Sequence, residues 1–302
     1  MSKRKNKKII NILRDNPLTL GELAAELKQS KTQCKRDLRD LKILGVYVAR
    51  ERIDNKTKYY IPLKMPTAEP RKVDTDYFAL IGDTHLGSKY AEEECLYDFF
   101  DICDENGVKD VFHAGDIGDG IMVYDGQIND LLPEALTLQD QINYIIEHYP
   151  RKKNIKQKLI SGNHDTKQFK RQGVDIAKSV ADRRKDIEHI GQSYGRIRLK
   201  DDVLLEIAHP TGTCPYAKDY RFRTYLRERP INNYPDILAL GHLHSSIFTD
   251  IQGTQSYMVG CFLGDTEFTR RRGLNPAIGG WIVDLDIEDG KIKRNKSEWV
   301  KY

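Results

Sequence analysis

The sequence lacks any long apolar run. Of its 302 residues, 39% are hydrophobic and 31% are charged, and no stretch approaches the roughly 18 apolar residues that a membrane-spanning helix needs. The start, Met1–Lys8, is basic, but the apolar stretch after it ends at Leu13 and meets Arg14 and Asp15. That stretch is too short for a secretory signal. We therefore expect a soluble, cytoplasmic protein without a membrane partner.

Cysteine is scarce, and its spacing shows no pairing. The five cysteines are odd in number and include no C-x-x-C pair; they are Cys34, Cys95, Cys103, Cys214 and Cys261. This pattern argues against a disulfide framework or a zinc ribbon and indicates a reducing compartment. Cys95 and Cys103, eight residues apart on one predicted helix, are expected to be packing residues.

Excess basic charge is confined to the beginning of the chain. Residues 1–65 hold 17 Lys and Arg against 7 Asp and Glu, whereas the remaining residues hold 32 against 38. A small basic module thus precedes a larger acidic one. Such asymmetry favours a polyanionic partner for the first module, although basic segments can also serve solubility alone.

Residues 7–62 have the pattern of three short helices followed by a hairpin. Thr19 and Ser30 each begin a capping-box pattern, with Glu or Gln three residues later. Two alternating runs then flank Asp54-Asn55, which is good turn chemistry. This order resembles a winged helix-turn-helix domain, which we assign to residues 1–63.

The third helix of such a domain would face nucleic acid. Polar and cationic side chains on this helix, with others on the wing, are the types that reach base edges and phosphates. The candidate nucleic-acid contacts are Lys31, Thr32, Gln33, Lys35, Arg36, Arg39, Arg50 and Arg52. The alternative is a protein-docking or dimerising winged helix with solvated lysines.

A proline-containing stretch separates this module from the rest. Pro62, Pro66 and Pro70 have no hydrophobic periodicity between them, which is typical of a linker. We place the linker at residues 64–75 and the second domain at residues 76–302.

In the second domain, apolar runs alternate with amphipathic stretches. The predicted strands are residues 78–81, 110–113, 158–160, 204–208 and 237–240, and the predicted helices are about 92–104, 133–148, 174–186 and 218–228. This alternation predicts an α/β sheet, with a functional site at the carboxyl ends of its strands.

Those strand ends carry carboxylate, amide and imidazole groups. In chain order the motifs are D-x-H (83–85), G-D-x-x-D (115–119), G-N-H-D (162–165), a single His (209) and G-H-x-H (241–244). Five of the eight histidines stand in these motifs. Oxygen and imidazole ligands suit Mn²⁺, Fe or Zn²⁺, and the lack of a thiolate among them disfavours a structural zinc site.

This ordered set of motifs resembles the calcineurin-like metallophosphoesterase superfamily over about residues 76–290. The resemblance implies an α/β fold, a two-sheet sandwich flanked by helices, here preceded by the small winged-helix domain. It also implies two divalent metal ions, with Mn²⁺ favoured over Fe or Zn²⁺. Two such cations activate water and neutralise phosphoryl oxygens.

The resemblance further implies a role for each matching residue. The seven metal ligands would be Asp83, His85 and His244 for one cation, Asn163, His209 and His242 for the other, and Asp116 as the bridge. His164 matches the catalytic histidine that protonates the leaving alkoxide. Asp119 matches the carboxylate that orients this histidine. Asp165 is the weaker candidate for that orienting role, because it is adjacent to His164 and adjacent side chains of an extended segment point in opposite directions.

Three histidines match no motif. We expect His113, within a strand, to be a packed residue or one that supports the ligands rather than a ligand itself. We expect His148 and His189 to end helices, where a cation is favoured.

Departures from subfamily patterns narrow the substrate. Serine/threonine protein phosphatases carry an arginine where this sequence has Gly120 and a glutamate where it has Asp165, so protein dephosphorylation is disfavoured. Phosphodiester-cleaving members share this motif set, with G-N-H-D as its third motif. We therefore predict a metal-dependent hydrolase, a nuclease or phosphodiesterase acting on nucleic acid, with DNA favoured. The alternatives are a nucleotide phosphoesterase and a DNA-binding regulator whose phosphoesterase domain senses a ligand.

Two basic stretches allow more than one interpretation. Residues 216–229 interleave Tyr with Lys and Arg, which fits either a surface that stacks bases or an amphipathic helix with its aromatic residues packed inward. Arg270-Arg271-Arg272 fits a substrate clamp and an exposed loop equally well.

Overall fold

The computed structural model describes residues 3–43, 48–53, 55–61, 70–212, 217–227 and 234–302. The chain forms two units: Met1–Glu69 with Tyr220–Tyr234, and Pro70–Asp219 with Pro235–Tyr302. The first unit therefore includes a segment that the sequence pattern places in the second domain. None of the helices in the described ranges has the length and apolar character needed to cross a membrane.

The N-terminal part of the first unit contains three helices and a small sheet. The helices are α1 (Lys3–Asp15), α2 (Leu20–Glu26) and α3 (Lys31–Ile43), and the strands are β1 (Leu18–Thr19), β2 (Ala49–Ile53) and β3 (Lys56–Tyr60). β3 lies between β1 and β2 and is antiparallel to both. The predicted order of helices and hairpin is present, and its assignment as a winged helix stays a prediction.

Local sequence signals explain the helix starts. The N–H of Glu22 donates to Thr19 Oγ1 at 3.2 Å, and the N–H of Thr19 donates back to Glu22 Oε2 at 2.7 Å, so the first predicted capping box is confirmed. The second is half formed, because Gln33 N–H donates to Ser30 Oγ at 3.1 Å while the Gln33 side chain donates to Asp37 at 2.9 Å. Asp37 is fully buried in α3.

Most of the predicted nucleic-acid contacts lie on the surface. The exposed side chains are Lys31, Thr32, Lys35, Arg36, Arg39, Arg50 and Arg52. Gln33 differs, since it is half-buried and bonded to Asp37. Asp54, in the predicted turn, lies outside the described residues, and its neighbour Asn55 has a left-handed φ of 61°.

The first unit also contains α8 (Tyr220–Arg227). Phe222 and Leu226 are buried, whereas Tyr220 is exposed. This part of the 216–229 stretch is therefore an amphipathic helix with a buried apolar side. Tyr216 and Arg229, at its two ends, lie outside the described residues.

The second unit is built on two six-stranded sheets. One sheet consists of β5 (Tyr77–Ile81), β6 (Asp110–His113), β7 (Lys156–Ile160), β8 (Ile187–Gly191), β14 (Gly279–Glu288) and β15 (Lys291–Lys301). The other consists of β4 (Arg71–Lys72), β9 (Tyr194–Arg198), β10 (Leu204–Ala208), β11 (Ile237–Leu240), β12 (Ser246–Ile251) and β13 (Thr254–Val259). The strand orders are β15-β14-β5-β6-β7-β8 and β12-β13-β11-β10-β9-β4. The strands that precede the motifs run parallel within each sheet.

Helices flank these sheets. They are α4 (Glu93–Glu105), α5 (Leu138–His148), α6 (Phe169–Gln172), α7 (Ile176–Ala181) and α9 (Glu267–Arg271), with 3-10 turns at Gln127–Asn129, Pro133–Ala135 and Lys200–Asp202. The apolar run of β5 serves two cores, because Phe78 and Leu80 join a cluster with residues of the other sheet while Ala79 and Ile81 join one with the helices. The predicted two-sheet α/β sandwich flanked by helices is confirmed.

Some local predictions differ from the structure. His189 lies within β8, so the prediction that it ends a helix is wrong, whereas His148 does end α5. Arg71–Lys72, at the end of the predicted linker, pairs as β4 with β9. The first residues of that linker, 64–69, lie outside the described ranges.

Candidate metal centre

The motif residues follow the carboxyl ends of five strands drawn from both sheets. Hydrogen bonds join these loops across the sheets. His209, after β10, donates its Nδ1 hydrogen to the carbonyl of Ala114, after β6, at 2.7 Å. The N–H of His242, after β11, donates to the two carboxylate oxygens of Asp83, after β5, at 3.0 and 2.9 Å. The two sheets therefore meet at the motif residues.

Asp83, His85 and His244 form one group that could hold a metal ion. The Nε2 atoms of His85 and His244 are 3.2 Å apart. Asp83 Oδ1 lies 3.4 Å from His244 Nε2 and 4.0 Å from His85 Nε2. This is the set that the resemblance assigns to the first cation.

Asp116, His209 and His242 form another such group. His209 Nε2 lies 3.0 Å from Asp116 Oδ2 and 3.1 Å from Asn163 Oδ1, so Asn163 belongs to the same cluster. His242 Nε2 lies 2.9 Å from the carbonyl of Gly212. A hydrogen on that nitrogen leaves the lone pair of His242 on Nδ1.

Asp116 belongs to both sides of the centre. It also groups with His85 and His164 as a possible metal site, and its Oδ2 lies 4.0 Å from His85 Nε2. A carboxylate in this position suits the predicted bridging role. The structure thus brings all seven sequence-predicted ligands together, and the assignment of each to a particular cation stays a prediction.

Backbone conformation sets these residues apart. Five of the seven predicted ligands have a left-handed φ: Asp83 (52°), His85 (46°), Asp116 (56°), His242 (78°) and His244 (45°). Residues other than glycine rarely adopt this backbone conformation. It costs about 1–3 kcal/mol per residue and persists only where the surrounding structure imposes it. Strain concentrated in one cluster indicates a functional centre.

Two motif glycines are required by close approach. A Cβ atom on Gly162 would lie 2.0 Å from Asp116 Oδ1, and one on Gly241 would lie 2.5 Å from the carbonyl oxygen of Ala114. Any side chain at either position would therefore push the predicted ligands apart. This explains the glycine of G-N-H-D and of G-H-x-H.

His164 lies beside the predicted ligands and is partly open to solvent, with a side chain 15% exposed. Its Nδ1 contacts the backbone carbonyl of Asp119 at 2.5 Å, whereas the nearest carboxylate oxygen of Asp119 is 3.7 Å away. That carboxylate lies 3.1 Å from His85 Nδ1 instead. Asp119 therefore contacts His164 chiefly through its main chain, and its carboxylate faces a predicted ligand.

Asp165 has a role that the sequence pattern did not suggest. Its carboxylate accepts the N–H groups of Gly162 at 2.8 Å, Asp116 at 2.9 Å and Gly118 at 3.1 Å. Burial, together with the charge of Asp116, raises the pKa of Asp165 to about 8. The last residue of G-N-H-D thus ties the loop after β7 to the loop after β6.

Two buried glutamines hold the loop that follows Asp119. Gln127 donates to both the carbonyl and the carboxylate of Asp119, at 2.7 and 2.8 Å. Gln141 accepts the N–H of Gly120 at 2.9 Å and donates to its carbonyl at 2.8 Å. Gly120 has φ +72°, and a Cβ there would lie 2.6 Å from the carbonyl oxygen of His164. Position 120, where serine/threonine protein phosphatases carry an arginine, therefore has no room for a side chain in this structure.

The charges within the cluster are strongly coupled. Burial opposes ionisation of Asp116, but the nearby His209 and His164 outweigh it and hold the pKa of Asp116 well below its usual value. Burial likewise opposes protonation of His209, yet Asp116 raises the pKa of His209 to about 9. Burial also opposes protonation of His244, and the buried Cys261 together with Asp83 raises its pKa well above the usual value.

This donor set fits divalent cations. Buried carboxylates and imidazoles converge. Because His209 donates its Nδ1 hydrogen to Ala114, its Nε2, which faces Asp116 and Asn163, is the atom that can bind a cation once its own proton is displaced. Divalent cations can replace the protons on His209 and His244, whose positive charge now balances the negative charge of the carboxylates. Cys261, buried beside His244, was not predicted near this centre, and the sequence around it carries no motif that would have revealed it.

His113 is a packed residue, as predicted. Burial lowers the pKa of His113 to about 4, so its ring is neutral. Its Nδ1 accepts the N–H of Gly115 at 3.2 Å, and its Nε2 lies 3.2 Å from Thr84 Oγ1. Both ring nitrogens are used in the protein interior, which excludes this ring as a ligand in the described conformation.

No family model matches the chain. Curated proteins similar to it are DNA polymerase II small subunits. That of Methanocaldococcus jannaschii is 27% identical over 261 residues, which cover 70% of this chain and 43% of the relative. Those of Pyrococcus furiosus and Archaeoglobus fulgidus are 25% and 29% identical, covering 82% and 68% of this chain and 47% and 50% of the relatives. The chain spans about half the length of the curated relatives it matches.

Two solved structures with similarity to this chain are an archaeal phosphodiesterase and Vps29 of Entamoeba histolytica in complex with Zn²⁺. The first is 15% identical with a TM-score of 0.43, covering 74% of this chain and 99% of its own. The second is 14% identical with a TM-score of 0.39, covering 74% and 98%. Similarities at this distance do not indicate a function.

Loss of a central ligand should remove bound metal. Asp116→Asn removes the negative charge and one oxygen of a ligand, and His209→Ala removes a ligand altogether. We therefore expect both variants to bind substantially less Mn²⁺ than the unaltered protein, measured by elemental analysis after desalting. His148→Ala removes a partly exposed imidazole on α5 and serves as the control. Unchanged metal content in both test variants would contradict the predicted ligand set.

Metal binding should also depend on pH. With the pKa of His209 raised to about 9 and that of His244 also raised, both rings carry protons near neutral pH, and a metal must displace them. We expect affinity for Mn²⁺ to rise with pH up to about 9, by about tenfold per pH unit for each proton displaced. Calorimetric titration in buffers of different ionisation enthalpy measures the protons released. An affinity independent of pH, with no proton release, would contradict this assignment.

Proposed function

We propose that this protein is a two-metal-dependent phosphodiesterase that hydrolyses phosphodiester bonds in DNA. The observation that carries the proposal is the convergence of seven oxygen and imidazole donors, five of them on strained left-handed backbone, beside the partly exposed His164. A binding protein has no need to hold so many strained residues around one point. This arrangement supports metal-assisted hydrolysis.

Two divalent cations at this centre would supply a nucleophile at neutral pH and neutralise the phosphoryl oxygens. They would be held in two sets that share Asp116: Asp83, His85 and His244, and Asn163, His209 and His242. The chain prepares these donors in advance. Ala114 fixes the His209 ring, and the Asp119 carboxylate fixes the His85 ring, as hydrogen-bond partners of metal-binding histidines commonly do.

His164 would give a proton to the leaving oxygen. Asp116 Oδ1 accepts its backbone N–H at 2.8 Å, and the Asp119 carbonyl engages its Nδ1. With Nδ1 donating to that carbonyl, Nε2 is the nitrogen left to carry or release a proton. A group of this type, next to the seven predicted ligands but not one of them, suits general acid catalysis.

DNA is the favoured substrate for two reasons. The curated relatives are subunits of DNA polymerases, and the first unit presents cations on α3 and β2. We interpret that unit as a winged helix that holds DNA through its phosphates. Mn²⁺ is the proposed metal, since donor sets that combine carboxylate and amide oxygens with imidazoles suit it, as they suit Fe and Zn²⁺.

A second candidate function follows from the relatives themselves. Because they are polymerase small subunits, the chain could serve in a polymerase assembly without cutting DNA. A nucleotide phosphoesterase is a further alternative. The leaving-group histidine and the complete donor set favour hydrolysis, since a purely structural subunit requires neither.

The direct test is incubation of the purified protein and Mn²⁺ with end-labelled single- and double-stranded DNA and RNA, beside a small aryl phosphodiester and a nucleotide. We expect cleavage of DNA that EDTA abolishes and that Asp116→Asn lacks. Hydrolysis of the nucleotide alone would favour the small-molecule alternative. No hydrolysis of any substrate, with metal bound, would favour the non-catalytic subunit.

Removal of the proposed acid should depend on the leaving group. For His164→Ala we expect metal to stay bound and DNA cleavage to fall by about 10²- to 10⁴-fold, the usual contribution of general acid catalysis. An aryl phosphodiester, whose leaving group needs no proton, should lose far less. Steady-state rates on both substrates decide the matter. An equal loss on the two would show that His164 is not the acid.

Removal of surface cations should weaken DNA binding without affecting chemistry. Because α8 belongs to the first unit, deletion of the N-terminal residues would leave that unit incomplete, so point changes are preferable. Arg36→Ala with Arg39→Ala should lower duplex affinity. The slope of log affinity against log salt should also fall by about 0.9 for each phosphate that the protein no longer neutralises.

The matched control for this pair is Lys291→Ala with Lys293→Ala, which removes the same charge from exposed positions on β15. Hydrolysis of a small aryl phosphodiester should be equal in all of these proteins. If the α3 pair and the β15 pair change DNA affinity and salt slope equally, the first unit does not serve as a specific DNA-holding surface.

A further inference from the structure

A row of aromatic rings leads outward from His164. The ring of Tyr124 lies 6.4 Å from the His164 ring, centroid to centroid, and is stacked on Phe268 at 5.8 Å with an interplanar angle of 30°. The guanidinium of Arg272 lies over the Phe268 ring at 4.6 Å. These three residues, Tyr124, Phe268 and Arg272, are called the rim platform below. Neither metal binding nor proton transfer uses them.

The Tyr124 side of the rim platform is held in place by the loop after β6. Tyr124 donates its hydroxyl hydrogen to Asp130 at 2.9 Å. The N–H of Val123 donates to Gln127 Oε1 at 2.8 Å, and Gln127 is the glutamine that also binds Asp119. The position of the Tyr124 ring is therefore tied to the same residues that set the position of His164.

The Phe268 side is held by α9 and the segment before it. Phe262 N–H donates to the carbonyl of Asp83 at 3.0 Å, which links this segment to a predicted ligand. Thr266 and Thr269 form a capping box at the start of α9. Phe268 is nevertheless 42% exposed, so a held and ordered ring is open to a ligand.

The three consecutive arginines that follow Phe268 differ in their partners. Arg270 pairs with Asp265, and Arg271 pairs with Glu267. Arg272 forms no ion pair with any carboxylate in the described part of the chain, and its guanidinium lies on the ring instead. Of the three consecutive arginines, Arg272 is thus the one available to bind an anion.

We infer that the rim platform binds the nucleoside on the leaving-group side of the scissile phosphate, with its base on Phe268 and the next phosphate on Arg272. The inference rests on the proposed function. His164 is the proposed donor to the leaving oxygen, so the group that departs must lie on the side of His164, where this row of rings begins.

The chemistry of the rim platform fits a nucleotide chain. An exposed aromatic ring beside a cation that has no ion pair among the described residues matches the alternation of flat bases and phosphates along a single strand. A stacked base binds an aromatic ring more strongly than an exposed cation does. A base can therefore take the place of Arg272 on Phe268 and free its guanidinium for a phosphate. An acidic peptide could use the cation but offers no series of flat rings.

The test uses the full chain with Mn²⁺ and two oligonucleotides of equal length and charge, one with all its bases and one with abasic residues. For Phe268→Ala we expect KM for the base-containing strand to rise by about 5- to 100-fold, with kcat little changed. KM for the abasic strand should not move, and Phe268→Trp should restore the first KM.

The matched control is Phe248→Ala, which removes a ring that is 44% exposed on β12 and whose ring contacts are Tyr257 and Trp281. It should leave both KM values unchanged. A KM that rises equally for the two strands in Phe268→Ala, or that does not rise for either, would overturn the inference.

A measurement without turnover separates this inference from the proposed function. In Phe268→Trp, titration with the base-containing strand should quench the fluorescence of the added tryptophan, and the abasic strand should not. Quenching in a protein that cleaves nothing would support the rim platform and reject the nuclease. Cleavage without any difference between the two strands, in quenching or in KM, would reject the rim platform alone.

Discussion

The Asp116 carboxylate is the contact on which the rest of the centre depends. One oxygen accepts the backbone N–H of His164 at 2.8 Å, and the other lies 3.0 Å from His209 Nε2. A single side chain in the loop after β6 thus fixes the proposed acid and contacts a histidine that follows β10, a strand of the other sheet. Its own backbone is left-handed, with φ 56°, a conformation that requires support from its neighbours.

That support comes from groups that bind no metal. Asp165 accepts N–H groups from the loops after β6 and β7, and Gln127 and Gln141 hold the loop after Asp119 from the other side. These buried polar groups satisfy one another, so the network is rigid as well as stable. The cost of several strained residues is offset by these hydrogen bonds and by the two hydrophobic cores beneath them. Rigid support of this kind keeps donors in place before metal or substrate arrives.

Much of the second domain was predictable because its signals are local. A buried strand that ends in glycine and a polar group marks the edge of the sheet, and parallel strands bring such edges together. The β14–β15 hairpin was not predicted, since its outer strand carries many charges. The sequence pattern placed His189 at the end of a helix, because the apolar patterns of a helix and a strand are hard to distinguish over only five residues. The attachment of α8 to the first unit, and the contact of the Asp119 carboxylate with His85, depend on the tertiary structure and have no sequence signal.

The central claim is that two divalent cations share Asp116, and anomalous X-ray scattering from crystals grown with Mn²⁺ tests it most directly. Two manganese peaks per chain are expected. One should lie among Asp83, His85 and His244, the other among Asn163, His209 and His242, with the Asp116 carboxylate between them. No peak at this centre, or a single peak with Asp116 turned away from it, would contradict the claim.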